Sequence, residues 1–302
     1  MAIEHLSTIS NSLVTPEQLQ SIDDVPNDFE LSLRYHSSLL TQAAGILLKL
    51  PQEVIAQAIV ILQRFYVGSG SYKRNSLKVF LSIHQSFLTN QDHSAAALYL
   101  TAKLSFHPQT TRALLNVYAY LDTVSLQSTN QPKPSDLSSY TLSEGEYFAA
   151  REILMRSEST ILRALSYKTH VVIPHKLALT YLQTLALLSP VPTQQSYALA
   201  KRTIELLNTA LLSPQLLYLT HQPSALAVSA IYLAARQVGT KLSEEQWWRV
   251  WDIEREELGF LVVSYGSLEG FARNEKLLWQ GKRVPVTSKT VQEEIVRRTA
   301  NT

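Results

Sequence analysis

The sequence predicts an all-α protein made of two consecutive helical units, with an extension at each end. Three observations carry that reading. Apolar residues recur at three- and four-residue steps along most of the chain, which is the spacing of a helix face. No stretch of useful length alternates apolar with polar residues, so almost no β-structure is expected. One apolar segment of small residues also occurs twice: Ala97-Leu98-Tyr99-Leu100-Thr101-Ala102-Lys103 returns, position for position, as Ala230-Ile231-Tyr232-Leu233-Ala234-Ala235-Arg236. A helix that is apolar nearly all the way round is buried among other helices. Each copy is therefore expected to be the central helix of its own unit.

The elements follow in order. Residues 1–27 carry Pro16, Pro26, several serines and acidic residues, and read as an irregular arm. From Phe29 to Leu50 the residues Leu31, Leu39, Leu40, Ala43, Ala44, Leu47 and Leu48 mark a helix, which Pro51 stops. Pro51 also suits the first turn of the next helix, Gln52 to Val67, with Ile55, Ile59, Leu62 and Tyr66 on one face. Gly68-Ser69-Gly70-Ser71 ends it, and Leu77 to Leu88 reads as a short amphipathic helix. Asp92 is placed to cap the first central helix. Pro108 and Thr110 open a helix from Thr111 to Leu121, residues 122–143 read as a Ser/Pro-rich loop, and a longer helix runs from Glu144 to Leu165.

Pro174 opens the second unit. Helices are expected from His175 to Leu188, from Gln194 to Leu212 and from Pro223 onward, the last with Gly239 as its C-cap. Ser243-Glu244-Glu245-Gln246 has the capping-box pattern ahead of a short helix with Trp247, Trp248 and Trp251, and residues 254–272 form the final helix.

Composition narrows the function. With 302 residues and 45% hydrophobic content, each unit can bury a core without help. No cysteine is present, which excludes a disulfide framework and thiolate chemistry. No apolar run approaches a membrane span, and the first residues lack a signal-peptide pattern, so neither a membrane partner nor secretion is expected. The net charge of +2 is small but unevenly spread. Residues 1–30 hold acidic residues and no Lys or Arg, whereas basic residues outnumber acidic ones after residue 273. Both ends read as solvated tails.

The search for a reaction comes up short. The eight histidines are scattered, with no His-Glu-x-x-His helix and no calcium loop, so no metal and no cofactor is expected. Gly68-Ser69-Gly70 before Tyr72-Lys73-Arg74 lacks the strand and the Gly-Lys-Ser/Thr of a phosphate loop. The pairs Asp23-Asp24 and Glu244-Glu245 sit where carboxylates are normally solvated. The chain is not expected to be an enzyme.

The ordered motifs resemble the cyclin family over residues 28–273. Gln63-Arg64-Phe65-Tyr66 stands where cyclins have Asp-Arg-Phe-Leu. Leu100-Thr101-Ala102-Lys103 is similar to their Leu-Ala-x-Lys, and Glu158 matches the glutamate of their fifth helix. Within the family the resemblance is to cyclin L, through Gln42 to Gln52, Gln63-Arg64-Phe65, Ile173-Pro174-His175-Lys176 with Tyr181-Leu182-Gln183, and Ala230 to Arg236. The resemblance implies two tandem five-helix cyclin boxes, the first at 28–170 and kinase-binding, the second at 171–273, between an acidic arm (1–27) and a basic tail (274–302). It implies a regulatory subunit that binds and activates a cyclin-dependent kinase, with a PITSLRE-type kinase favoured, acting in transcription and pre-mRNA splicing in the nucleus. Splicing or transcription factors are further implied partners. Lys103, Glu158, Phe106 and Leu162 are the implied partner-binding residues. Ser105-Phe106 replaces the family's acidic pair after the lysine, residues 73–92 read as an insertion, and Gln42 replaces a basic residue. On the residues alone, Lys103 and Glu158 could equally form a structural ion pair.

Other readings share the motifs. One is another transcriptional cyclin, of the K, T, C or H kind. A second is a general transcription factor of two cyclin folds that binds DNA. In residues 171–272 the basic side chains are diluted by Glu205, Glu244, Glu245, Asp252, Glu254, Glu256, Glu257 and Glu269, so no strong nucleic-acid binding is expected. A helical scaffold without a kinase is the third.

Overall fold

The computed structural model describes residues 10–15, 19, 27–67, 90–126, 141–188, 193–242, 246–280, 294, 296 and 297. Among them are ten α-helices, one 3-10 helix and no strand. The helices are α1 (Asn27–Leu47), α2 (Gln52–Val67), α3 (Asn90–Leu104), α4 (Thr111–Leu126), α5 (Glu144–Ala164), α6 (Pro174–Thr184), α7 (Gln194–Ala210), α8 (Leu217–Thr220), α9 (Pro223–Val238) and α10 (Arg255–Leu278). Trp247–Trp251 form the 3-10 turn. The chain divides into two compact units, Val14–His170 with Lys276–Thr302, and Met1–Leu13 with Val171–Glu275.

In the unit that holds α1 to α5, α3 packs against α1, α2, α4 and α5. Ala95, Ala96, Ala97, Leu98, Leu100 and Ala102 are all buried, which is why small residues are needed there. The polar residues of α3 are satisfied inside the core. Ser94 Oγ lies 2.7 Å from both Thr41 Oγ1 and Tyr118 OH, which ties α1, α3 and α4 together. Thr101 donates back to the carbonyl of Ala97. Such a network fixes one arrangement of helices because each partner left alone would be costly.

The α1–α2 contact depends on one glycine. A Cβ on Gly45 would stand 2.5 Å from Ile55 Cγ1, and Ile55 is buried. That atom lies next to the branch point of a stiff side chain, so it cannot swing aside. Gly45→Ala is expected to cost about 2 kcal/mol through overpacking. By contrast Gly270→Ala in α10, with open space around its Cβ, is expected to gain about 1 kcal/mol from helix propensity. Urea unfolding of the two variants checks both signs. The α1–α2 turn closes with Leu50 N–H donating to Gly45 O and Lys49 in the left-handed region, before Pro51.

In the other unit α9 has the central place, against α6, α7 and α8, and Tyr265 of α10 donates to the carbonyl of Leu226 at 3.0 Å. Pro223 sits in its first turn and Gly239, at φ 77°, ends it with its N–H on Ala235 O, as the sequence predicts.

Several expectations shift. α3 starts at Asn90, so Asp92 lies inside its first turn instead of capping it. α4 runs to Leu126, past the expected end at Leu121. α6 stops at Thr184, where Leu187 N–H turns back to Leu182 O and Ala186 takes a positive φ. α8 was not anticipated, and α10 continues to Leu278. The two ends are not wholly solvated either: Asn11 and Trp279 are buried. Trp279 packs on Phe29 and His36 of α1, with ring centroids at 6.5 and 6.0 Å. The expected helix at 77–88, the insertion at 73–92 up to residue 89, and the capping box at 243–245 lie outside the described residues.

Candidate partner-binding site

The site is built on the ends of α3 and α5. α5 is anchored at its start by a capping box: Glu146 N–H donates to Ser143 Oγ and Ser143 N–H to Glu146 Oε2. The Ser143 hydroxyl, donating to Glu146 Oε2 at 2.7 Å, and the Ser143 N–H together hold the Glu146 carboxyl below its ordinary pKa. The Arg112 guanidinium lies over the Tyr147 ring at 4.4 Å, and the Thr111 and Tyr147 hydroxyls are 2.7 Å apart, so the first turns of α4 and α5 are joined. At its far end Ser166 and Tyr167 adopt positive φ, and Arg64 Nη1 of α2 donates to His170 O at 2.7 Å. Burial lowers the Arg64 pKa.

Between these anchors α5 turns Leu154, Ser157, Glu158 and Ile161 inward. Glu158 is a carboxylate in a buried position, and Lys103, in the last turn of α3, forms an ion pair with it. The same ammonium lies 4.6 Å from the centre of the Tyr99 ring, one turn back on α3. A carboxylate is rarely buried without a cation, so this pair holds the C-terminal end of α3 to the middle of α5. Truncating Lys103 to Ala strands Glu158 and is expected to cost about 1–2 kcal/mol, between the ranges for exposed and buried pairs. The loss should show as a lowered melting temperature, and the double variant with Glu158→Ala should recover part of it.

Beyond the pair, the end of α3 and the turn after it carry exposed apolar side chains. Leu104 is 63% exposed and Phe106 is fully exposed. The turn that presents Phe106 is not loose. Ser105 Oγ donates to Ala102 O at 2.9 Å and accepts from His107 N–H at 3.1 Å. Along α5, Phe148, Met155 and Leu162 recur every seventh residue, forming a line that flanks the buried face, with Phe148 exposed and Met155 and Leu162 half-buried. Of the four residues read from the sequence, the structure joins Lys103 to Glu158 directly. It places Leu162 on α5 and Phe106 in the turn just after α3. Phe148 and Met155 escaped the sequence reading, although their heptad spacing with Leu162 was visible there.

No family model matches the chain. Among curated proteins it is 29% identical over 277 residues to an uncharacterized cyclin-L1-like protein of Schizosaccharomyces pombe, covering 89% of this chain and 93% of that one. It is 28% identical over 247 residues to human cyclin-L2 and 27% over 261 residues to human cyclin-L1, covering 80% and 85% of this chain. The chain spans less than half the length of these two human relatives, 42% and 44%. Its fold resembles a chain of the yeast RNA Pol II CTD kinase CTDK-1 complex, with a TM-score of 0.60, 13% identity and coverage of 97% of this chain and 84% of the other. It also resembles a chain of the Chaetomium thermophilum CAK complex, with a TM-score of 0.53, 16% identity and coverage of 100% and 84%. Ordered motifs, an all-helical fold with a buried small-residue helix in each unit, and these relatives agree: the chain is similar to the cyclins, and among them to cyclin L.

Proposed function

We propose that this chain is the regulatory subunit of a cyclin-dependent kinase working in nuclear transcription and pre-mRNA splicing, with a PITSLRE-type kinase as partner. The observation that carries the proposal is the Lys103–Glu158 pair beside an exposed, held Phe106. The pair sets the angle between the ends of α3 and α5. Phe106 and the Phe148, Met155, Leu162 line then offer an apolar seat for a helix of the partner. A kinase is switched by moving the helix whose glutamate pairs with the ATP-positioning lysine, and a rigid neighbour that fits only the inward position biases that equilibrium. The chain's own contribution is shape and burial; the chemistry belongs to the kinase. One of the two solved neighbours is, by its name, part of a kinase complex, and the cyclin L relatives support the reading as a cyclin regulatory subunit.

The test is purification of the tagged chain with identification of the kinase that accompanies it, followed by a kinase assay with and without the chain. A stable complex and an activated kinase are expected; no kinase in the purified material would remove the proposal. Lys103→Ala with Glu158→Ala is expected to weaken kinase binding by about tenfold or more while helicity, read by circular dichroism, stays intact. Unchanged affinity in calorimetry would leave the pair with a structural role only.

A further inference from the structure

Residues 10–15 carry a contact that the kinase-binding reading does not use. Asn11 is 8% exposed, whereas Ser10 and Ser12 on either side of it are exposed. Its side-chain Nδ2 donates to Val172 O at 2.7 Å, and its Oδ1 accepts from Val172 N–H at 2.9 Å. Its backbone N–H donates to Gln222 Oε1 at 3.1 Å, and its backbone carbonyl accepts from Gln222 Nε2 at 3.1 Å. The side chain of Asn11 therefore pairs with the backbone of Val172 through two bonds. The side chain of Gln222 pairs with the backbone of Asn11 through two more.

The receiving side lies at two helix starts. Gln222 is the extended residue immediately before α9, at φ −70° and ψ 151°. Val172 precedes Ile173, the extended residue at the start of α6. The backbone of each is set by the start of a helix in the same unit, α9 for Gln222 and α6 for Val172. The chemistry is also selective. A primary amide offers one donor and one acceptor in a plane, which matches a backbone N–H and C=O. An aspartate would set an acceptor against Val172 O, and an alanine would offer nothing. The Gln222 pair asks only for an extended residue with a free N–H, so it excludes proline.

We infer that Val172 and Gln222 form a peptide-recognition slot for an asparagine in an extended segment, and that Asn11 is its occupant in cis. Because the residues flanking Asn11 are solvated, the slot reads one residue and binds weakly without a tether. Attachment to the same chain supplies an effective concentration in the millimolar range, which keeps it filled. An arm held this way is displaceable, so a competing asparagine-bearing segment can take its place.

The test follows hydrogen exchange of the Val172 amide, whose acceptor is the Asn11 side chain, in the full chain. Asn11→Ala and Asn11→Asp should each speed that exchange at least tenfold, with amides inside α9, such as Ile231, unchanged. A synthetic peptide of residues 7–15, added at millimolar concentration to the Asn11→Ala chain, should slow Val172 again. The same peptide with alanine at position 11 should not. Unaltered Val172 exchange in both variants would overturn the contact itself. Faster exchange that the peptide fails to reverse would show a structural seam instead of a recognition slot, and the inference would fall. Neither result depends on whether a kinase is bound, so failure here is separable from failure of the proposed function.

Discussion

Acidification from pH 7 to pH 4 is expected to strip roughly 3 kcal/mol from this protein's stability through one histidine. His93 lies in the first turn of α3, buried, with its ring 4.8 Å from that of Phe65 and 6.0 Å from that of Tyr66. Its Nδ1 has no hydrogen-bond partner among the described residues. Burial lowers its pKa to about 4. The positive end of the α3 dipole opposes an imidazolium at this place as well. The sign follows directly. The native state keeps His93 neutral, while the unfolded chain takes up a proton below pH 6.5. Stability is therefore whole above pH 6.5, falls by about 1.4 kcal/mol per unit below it, and levels off once the native state also protonates near pH 4. His221, half-buried against Phe260, is shifted the same way and adds to the slope. Replacing His93 by Phe keeps a ring in the cluster and removes the titration. Urea unfolding at pH 7 and pH 5 should show a loss of about 2 kcal/mol in the native sequence and a much smaller one in His93→Phe. Equal losses in the two would mean that the buried ring does not govern the acid limb.

His93 also shows what could be read from the sequence and what could not. The small-residue segment that follows it announced a buried central helix twice over, because a run such as Ala95-Ala96-Ala97-Leu98 has no polar face to turn outward. Pro51, Pro223 and Gly239 marked boundaries correctly, since their backbone restrictions act locally and owe nothing to the rest of the fold. The failures are places where tertiary packing decides. Asp92 has the chemistry of a cap, yet α3 begins earlier, at Asn90. Leu217–Thr220 make a single turn, too short for any period to appear. α10 continues through Gly270 and Asn274, poor helix formers, and the chain then buries Trp279 against α1, a contact between residues remote in sequence. Ser143 and Glu146 had the capping-box spacing all along and passed unread. At the candidate site, Lys103 and Glu158 were reached through the family motif alone. Spacing could not have paired them, because nothing local connects the last turn of α3 with the middle of α5. Asn11 carries no sequence signal at all: its partners, Val172 and Gln222, are defined only by the folded chain.

On the proposed role, charge placed on the apolar seat should weaken kinase activation strongly while leaving the fold alone. Phe106 is the sharpest case, because its side chain touches almost nothing in this chain. Its removal therefore costs the fold little, within about 0.5 kcal/mol as for surface positions generally. A fully solvated phenylalanine on a turn braced by Ser105 has no stabilising use within the monomer, and water around it is a standing cost that only a partner's surface relieves. Aromatic anchors desolvated at the centre of an interface are commonly worth about 2 kcal/mol or more on truncation, and a carboxylate forced into the same apolar pocket costs more again. Phe106→Asp is thus expected to raise the concentration of this chain needed for half-maximal kinase activation by about 30-fold or more. Leu162→Glu, half-buried on the flanking line of α5, should act in the same direction with a small loss of stability. Together they are expected to approach a thousandfold if the two positions act independently. The measurement is a titration of kinase activity against each variant, with melting temperatures recorded in parallel. The comparison with Lys103→Ala separates two roles. That variant lowers stability and activation together, because it loosens the joint between α3 and α5, whereas Phe106→Asp should lower activation alone. A Phe106→Asp chain that activates like the native sequence would mean that the partner sits elsewhere, and the reading of this surface would have to be given up.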